Sequence, residues 1–165
     1  MRDLIVFLLE RAIPIRVTMD ILDELFRSLA PKVPPQRLER QRPQLEKAFE
    51  DAFIEGYHHR VDGLCLPDLG DRHVLAAAIE GGAKVIVTFN LRDFPADATR
   101  PYGVTAVHPD AWLSQLLEEA AECVDMAIRD ASRQRRRPPQ TAEEIALALR
   151  GAAPQFSARL LQRLP

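Results

Sequence analysis

The sequence is poor in several residue types, and each scarcity excludes a class of protein. Its 165 residues include two cysteines, seven glycines and 6% aromatic residues. Cys65 and Cys123 lie far apart in apolar contexts, so we expect both to be reduced and buried, as suits a cytoplasmic protein. With few aromatic residues, the core must consist mostly of Leu, Ile, Val and Ala.

A strong net charge and long apolar runs are also missing. No apolar run approaches the roughly 18–20 residues that span a bilayer, and the N-terminus has no secretory signal, so we expect no membrane association. The 22 basic and 24 acidic residues give a net charge of −2. This balance excludes a basic field over the whole molecule, although a local basic patch stays open.

Several catalytic motifs are absent as well. No glycine-rich loop follows a strand, so nucleotide binding has little support. Without Cys-x-x-Cys, His-Glu-x-x-His or Gly-x-Ser-x-Gly, nothing supports a zinc site or a serine nucleophile. His58 and His59 are adjacent and point in different directions on a helix, and His73 and His108 are isolated.

The order of elements predicts an α/β domain followed by a helical tail. Helical and strand-like patterns alternate up to a division near Arg133–Pro139. We predict an α/β domain over residues 1–118 and a helical C-terminal segment over residues 119–165. The predicted elements of the first part are a buried helix over 3–12, a strand over 13–18, a helix from the Thr18 cap to Ala30, helices over 38–57 interrupted at Pro43, a helix from Asp71 to Gly81, a strand over 84–90 buried on both faces, and a strand over 104–107.

The helical tail has clear local signals. Pro109 and Pro154 are placed to begin helices, and Thr141 with Glu144 matches a capping box. Basic residues 133 and 135–137 precede the Pro138-Pro139 break. We interpret them as a solvated helix end in preference to an RNA contact.

Four carboxylates follow or begin elements in positions that favour a shared site. Asp68 and Asp71 lie at the entrance of a helix, Asp93 follows a strand, and Glu24 lies on the second helix. Sites in open α/β sheets gather outside the carboxyl ends of the strands. Hard oxygen ligands suit Mg²⁺ or Mn²⁺, which can activate water for phosphoryl displacement. The alternative is that these residues are helix caps, turn formers and a solvated helix face.

Two segments carry a resemblance to a known family. Residues 66–79, LPDLGDRHVLAAAI, and 81–95, GGAKVIVTFNLRDFP, resemble PIN domains of the VapC-like toxin group, and 18–27 is similar to that group's second helix. The resemblance implies a PIN-like parallel sheet flanked by helices, with a small helical C-terminal segment. It also implies a cytoplasmic, Mg²⁺- or Mn²⁺-dependent ribonuclease that acts on RNA, is the toxin paired with a cognate antitoxin protein, and commonly forms a homodimer.

The resemblance implies metal ligands residue by residue. Glu24 matches the acid on the second helix, and Asp71 matches the acid that opens the alanine-rich helix. Asp93 matches the acid after the strand, and Asp68 is a secondary ligand candidate. Many relatives carry an aspartate at the position of Asn90, so it stays open whether Asp93 fills that ligand role or only shapes the loop.

The resemblance also implies residues that contact the substrate. Thr88 and Asn90 match a Thr-x-Asn pattern at the strand end and would orient a water molecule or the scissile phosphate. Arg72 and Arg92 would contact phosphate oxygens as fixed cations.

One departure from the family pattern divides the functional hypotheses. The family begins with a strand that ends in an aspartate, which this sequence lacks, and Asp3 lies too far along the first helix to replace it. Either the start was assigned too late or the protein is shortened, and we hypothesise the former. An N-terminus at Met1 in the mass spectrum of the native protein would overturn it. A catalytically inactive PIN-like protein that binds an antitoxin or RNA is the alternative function, and a DNA-directed nuclease is a third.

Overall fold

A computed structural model describes residues 14–134 and 139–164 of the chain. The predicted helix over 3–12 and basic residues 135–137 lie outside this part. The helices are α1 (Met19–Leu29), α2 (Pro35–Ala48), α3 (His58–Val61), α4 (Arg72–Glu80), α5 (Ala96–Thr99), α6 (Pro109–Glu119), α7 (Ala121–Gln134), α8 (Ala142–Leu149) and α9 (Pro154–Arg163), and the strands are β1 (Val85–Val87) and β2 (Thr105–Val107). In the described ranges, no helix combines the length and the apolar character needed to cross a membrane.

The strands confirm the predicted α/β class. β1 and β2 form a two-stranded parallel sheet. The amide of Thr105 donates to the carbonyl oxygen of Lys84 at 2.9 Å, and the amide of Thr88 donates to that of Val107 at 3.0 Å. The predicted strand over 13–18 is present, within the described residues, as a single parallel bridge between Val17 and Phe53.

The prediction of a strand buried on both faces is wrong for β1. Ile86 is 6% exposed, but Val85 and Val87 are 40% and 42% exposed, and Phe89 beyond the strand is 58% exposed. Successive side chains of a strand point to opposite faces, so only the Ile86 face of β1 is covered. An apolar sequence therefore did not guarantee two covered faces.

The chain divides into two compact units. The first, here called the carboxylate unit, contains residues 14–86 and 90–106. Its core joins α3 and α4 to Ile86, Phe94 and Val104. The second, the helical unit, contains the described residues of 87–89 and 107–164, and its core is built from α6, α7, α8 and α9. The predicted boundary between 1–118 and 119–165 stays a prediction.

The predicted helix boundaries agree with local chemistry. The Thr18 hydroxyl accepts a hydrogen bond from the amide of Ile21 at 3.1 Å, and Thr141 and Glu144 form the reciprocal capping box. α4 ends at Glu80 with Gly81 as its C-cap, and the following Gly82 has a φ of 63°, which glycine adopts without strain. The predicted interruption at Pro43 is wrong, because α2 continues through this exposed proline.

The cysteines are both free thiols, as expected, but neither is buried. Cys65 is exposed and Cys123 is half-buried. Cys65 lies between Leu64 and Leu66, which are 3% and 7% exposed. In this non-helical stretch the two leucines face the core and the residue between them faces away, so apolar neighbours misled the prediction.

Candidate functional site

Three of the predicted carboxylates come together in the carboxylate unit. Asp68, Asp71 and Asp93 each offer one oxygen, and these oxygens all lie within 4.8 Å of one another. Asp68 is exposed, and Asp71 and Asp93 are half-buried. We call these three residues the acidic triplet.

Short turns position the acidic triplet. Asp68 precedes a 3₁₀ turn, Leu69–Asp71, and its Oδ1 accepts a hydrogen bond from the amide of Gly70 at 2.8 Å. Asp71 ends that turn and immediately precedes α4, yet its side chain makes no capping hydrogen bond. The cap interpretation therefore describes Asp68 but not Asp71.

Asp93 is held by its own loop. It ends a second 3₁₀ turn, Leu91–Asp93, which follows the sheet. The side-chain amide of Asn90 donates a hydrogen bond to Oδ2 of Asp93. Asn90 thus fixes one carboxylate oxygen of Asp93 while the Asp93 side chain contributes to the triplet.

The electrostatics of the triplet are unfavourable without a cation. Burial raises the pKa of Asp71, and the neighbouring charges of Asp68, Asp93 and Glu24 raise it further, in that order, while His73 opposes them. Like charges at short range disfavour ionisation, and a bound cation would remove this repulsion.

Glu24 lies near the triplet but contacts a histidine instead. Its Oε1 is 3.6 Å from Nε2 of His73. His73 Nδ1 lies 2.7 Å from the carbonyl oxygen of Gly70, which makes Nδ1 the donor, and within the described residues its buried Nε2 has no hydrogen-bond partner. His73 therefore links α1 to the turn that carries Asp68 and Asp71.

His73 is isolated in the sequence, but in the structure it contacts the carbonyl oxygen of Gly70 and approaches Glu24. His73 follows Gly70 by three residues, and this spacing could have indicated the contact between the His73 ring and the Gly70 carbonyl oxygen. Nothing in the sequence pattern indicates the contact with Glu24, which is distant along the chain and depends on the packing of α1.

The other acids of α1 have separate partners. Oδ2 of Asp20 accepts a hydrogen bond from the Tyr57 hydroxyl at 2.6 Å and lies 3.4 Å from Nε2 of His58. This hydrogen bond lowers the pKa of Asp20, and burial together with Asp20 raises the pKa of Tyr57 to about 12. Asp23 pairs with Arg42 at 2.6 Å. The acidic face of α1 was predicted to be solvated, but each of its three carboxylates has a different neighbour. Asp20 contacts Tyr57, Asp23 pairs with Arg42, and Glu24 approaches His73.

The remaining predicted residues are placed as follows. Thr88 follows β1 directly and is grouped with the helical unit. Arg72 begins α4 and is half-buried, and within the described ranges its buried Nε makes no hydrogen bond. Arg92 is exposed in the turn that carries Asp93.

Comparisons with known proteins find similarity to a protein family and to an individual relative. A family model described as PIN domain matches residues 1–92. A Mycobacterium tuberculosis (strain H37Rv) protein named "Putative ribonuclease VapC50" is 44% identical over 117 residues, which cover 69% of this chain and 67% of that protein. No solved structure matches.

Proposed function

Because this chain belongs to the PIN-domain family, we propose that it is a metal-dependent endoribonuclease and the toxin of a type II toxin–antitoxin pair. The observation that carries the proposal is the convergence of Asp68, Asp71 and Asp93. Its similarity to a VapC relative named as a ribonuclease supports RNA as the substrate and an antitoxin protein as the partner.

The donor set of the triplet fits Mg²⁺ or Mn²⁺. Three carboxylates offer hard oxygens within 4.8 Å of one another. Burial and the repulsion from neighbouring acids together raise the pKa of Asp71, and a cation would offset the repulsion. We propose Asp68, Asp71 and Asp93 as ligands, with Glu24 close by. When bound, the ion would lower the pKa of a coordinated water and neutralise charge on the phosphoryl oxygens.

The protein's own residues would position the ligands and the substrate. Asn90 donates to Asp93 and so leaves the other oxygen of Asp93 available, and Nε2 of His73 lies 3.6 Å from Glu24, next to the turn of Asp68 and Asp71. In this proposal Asp93 acts as the ligand and Asn90 orients it. We assign the strand-end ligand role to Asp93 and not to Asn90, because the neutral amide of Asn90 would bring no negative charge to a bound cation.

The substrate contacts of the proposal follow from charge. Arg72 adjoins Asp71, and a buried guanidinium nitrogen without a partner among the described residues gains from an anionic oxygen. Arg92 would contact a second phosphate from its exposed turn, and Asn90 would orient water or the scissile phosphate. Hydrolysis would leave a 5′-phosphate and a 3′-hydroxyl, in the cytoplasm, and a homodimer is the proposed assembly.

One pair of variants tests the proposal. Asp71→Asn keeps the size of the side chain and removes its charge, and Asp62→Asn makes the same change at an exposed residue outside the triplet. We expect Asp71→Asn to abolish Mg²⁺-dependent RNA cleavage and to weaken Mn²⁺ binding in calorimetry, and Asp62→Asn to change neither.

The outcomes separate the competing functions. Cleavage that persists in Asp71→Asn would refute this site. Wild-type protein that binds RNA or an antitoxin without binding Mn²⁺ or cleaving would establish the inactive binding protein. Cleavage of a DNA oligonucleotide in preference to the matching RNA would establish the DNA-directed nuclease.

A further inference from the structure

The outward face of α2 carries cations and amides without carboxylates. Arg37, Arg40, Gln44 and Lys47 are all exposed, and their spacing of three, four and three residues places them on one face of the helix. We call Arg37, Arg40 and Lys47 the basic strip. At 1.5 Å per residue, the ten steps from Arg37 to Lys47 span about 15 Å.

The two acids of α2 lie on the opposite side of the helix. Glu39 and Glu46 border a groove that also involves Phe26 and Arg42, and Arg42 is paired with both Asp23 and Glu46, at 2.6 and 2.8 Å. The helix therefore separates its charges, with the paired ones towards α1 and the basic strip outwards.

The cations of the basic strip are unpaired within the described part of the chain. Arg37, Arg40 and Lys47 form no ion pair or hydrogen bond there, in contrast to Arg42 on the same helix. The nearest following acids, Glu50 and Asp51, come after the end of α2 and mark the end of the strip. A solvated helix face usually mixes both signs of charge, so a run of one sign points to an anionic ligand.

The basic strip belongs to the same unit as the acidic triplet. α1 lies between them in the chain of contacts: Asp23 pairs with Arg42 of α2, and the next residue, Glu24, approaches His73 beside the triplet. A polyanion bound on the strip would thus lie one helix away from the proposed reaction site. The chain's net charge of −2 makes this local concentration of positive charge more distinctive.

We propose that the basic strip binds the phosphodiester backbone of single-stranded RNA at a distance from the cleaved bond. This inference rests on the proposed ribonuclease function and adds a second contact surface to it. Phosphate contacts of this kind position a nucleic acid without reading its sequence. Three of them would contribute a salt dependence of about two in the slope of log K against log salt, at about 0.7 for each phosphate of a single strand.

A matched pair of triple variants tests the basic strip. One is Arg37→Gln with Arg40→Gln and Lys47→Gln, and the other replaces three exposed cations elsewhere, Lys84, Arg100 and Arg129, with glutamine. Both variants change the net charge equally. The probe is a fluorescein-labelled single-stranded RNA of about 20 nucleotides, bound in EDTA between about 50 and 300 mM salt and followed by anisotropy.

The expected result is specific to the strip. Its variant should bind the RNA about tenfold more weakly at the lowest salt, with a salt slope smaller by about two, while the control variant stays within about twofold of wild type. Unchanged thermal melts would show that both variants fold. Equal weakening in both variants, or none in the strip variant, overturns the proposal.

Two further arms separate this inference from its alternatives. A strip variant that loses binding to polyglutamate but keeps its RNA affinity would identify an acidic protein as the partner and overturn the RNA proposal. Because EDTA removes divalent metal, the binding assay is independent of cleavage. Strip-dependent RNA binding in a protein that never cleaves with Mg²⁺ would support the strip while refuting the ribonuclease.

Discussion

Each of the two units has an aspartate at a helix N-terminus, and the two aspartates have different roles. In the helical unit, Asp110 is 5% exposed, and its two oxygens accept hydrogen bonds from the amides of Gln155 and Phe156 at 3.1 and 2.8 Å. In the carboxylate unit, Asp71 precedes α4 and makes no capping bond. The first carboxylate completes a packed core, whereas burial and the neighbouring charges of Asp68, Asp93 and Glu24 raise the pKa of the second.

The two units differ in how their side chains contribute to the stability of the fold. The helical unit encloses Val124, Ile128, Phe156 and Leu160 completely, each at 0% exposure. The carboxylate unit has a core of its own, but it also holds a group of acids whose repulsion of the Asp71 charge opposes folding. Rules that hold throughout a fold are commonly broken at functional sites, so this contrast supports a binding role for the triplet.

The largest predicted effect concerns the packed core of the helical unit. Phe156→Ala removes a fully buried ring from the centre of the helical core and should lower the free energy of unfolding by about 3–5 kcal/mol, measured by urea denaturation. Leu147→Ala on the neighbouring α8 removes a side chain that is 50% exposed and should change it by less than about 0.5 kcal/mol. Similar losses in the two variants would contradict the packing account.

The next effect concerns the aspartate that completes this core. Asp110→Ala leaves the amides of Gln155 and Phe156 without their acceptors, because Ala153 offers α9 no side-chain cap, and should cost about 2 kcal/mol in urea denaturation. Asp110→Asn retains one acceptor oxygen and should cost less. An asparagine variant as damaging as the alanine variant would contradict this hydrogen-bond account.

A smaller effect is expected at the hydrogen bond between Tyr57 and Asp20. Tyr57→Phe should cost about 1 kcal/mol at neutral pH, since the acceptor is charged but half-exposed. The pKa of Asp20 is lowered in the folded state, so this contribution is present above the ordinary value of 3.8 and is lost as the pH falls through the folded value. Wild type and variant should therefore converge in acid in thermal melts, and a constant difference at all pH values would contradict the assignment.

The features that the sequence predicted best are those decided by neighbouring residues. Thr18 caps α1, Thr141 and Glu144 form the capping box, and Pro154 begins α9, because each signal acts within about one helical turn. The exposed valines of β1 and the exposed Cys65 could not be predicted this way. Burial depends on which distant segment covers a face, and a local pattern does not contain that information.

The same distinction between local signals and distant contacts applies to the candidate site. The strand-end rule and the family resemblance indicated Asp71 and Asp93 as site candidates and Asp68 as a secondary one, and the structure brings the three side chains into one group. The contact between Glu24 and His73 was missed, because it depends on how α1 packs against the turn before α4. Sequence patterns thus indicated which acids to examine, while their partners required the tertiary structure.

The smallest predicted effect has the opposite sign and tests the comparison directly. The pKa of Asp71 is raised in the folded state, so its ionisation opposes folding, and stability falls as the pH rises from the ordinary value of 3.8 through the folded value. In EDTA at neutral pH, Asp71→Asn should therefore be more stable than wild type, by less than about 1 kcal/mol because the group is half-exposed. In acid the two should melt together.

Added metal should reverse the order of stability of wild type and Asp71→Asn. Adding Mn²⁺ should raise the melting temperature of wild type, since a ligand that binds only the folded state stabilises it, and should leave Asp71→Asn almost unchanged. The same melts on Asp62→Asn control for the loss of one negative charge. An Asp71→Asn variant that is less stable than wild type in EDTA would place Asp71 with Asp110, as a structural residue, and would remove the physical distinction between the two units on which the metal site depends.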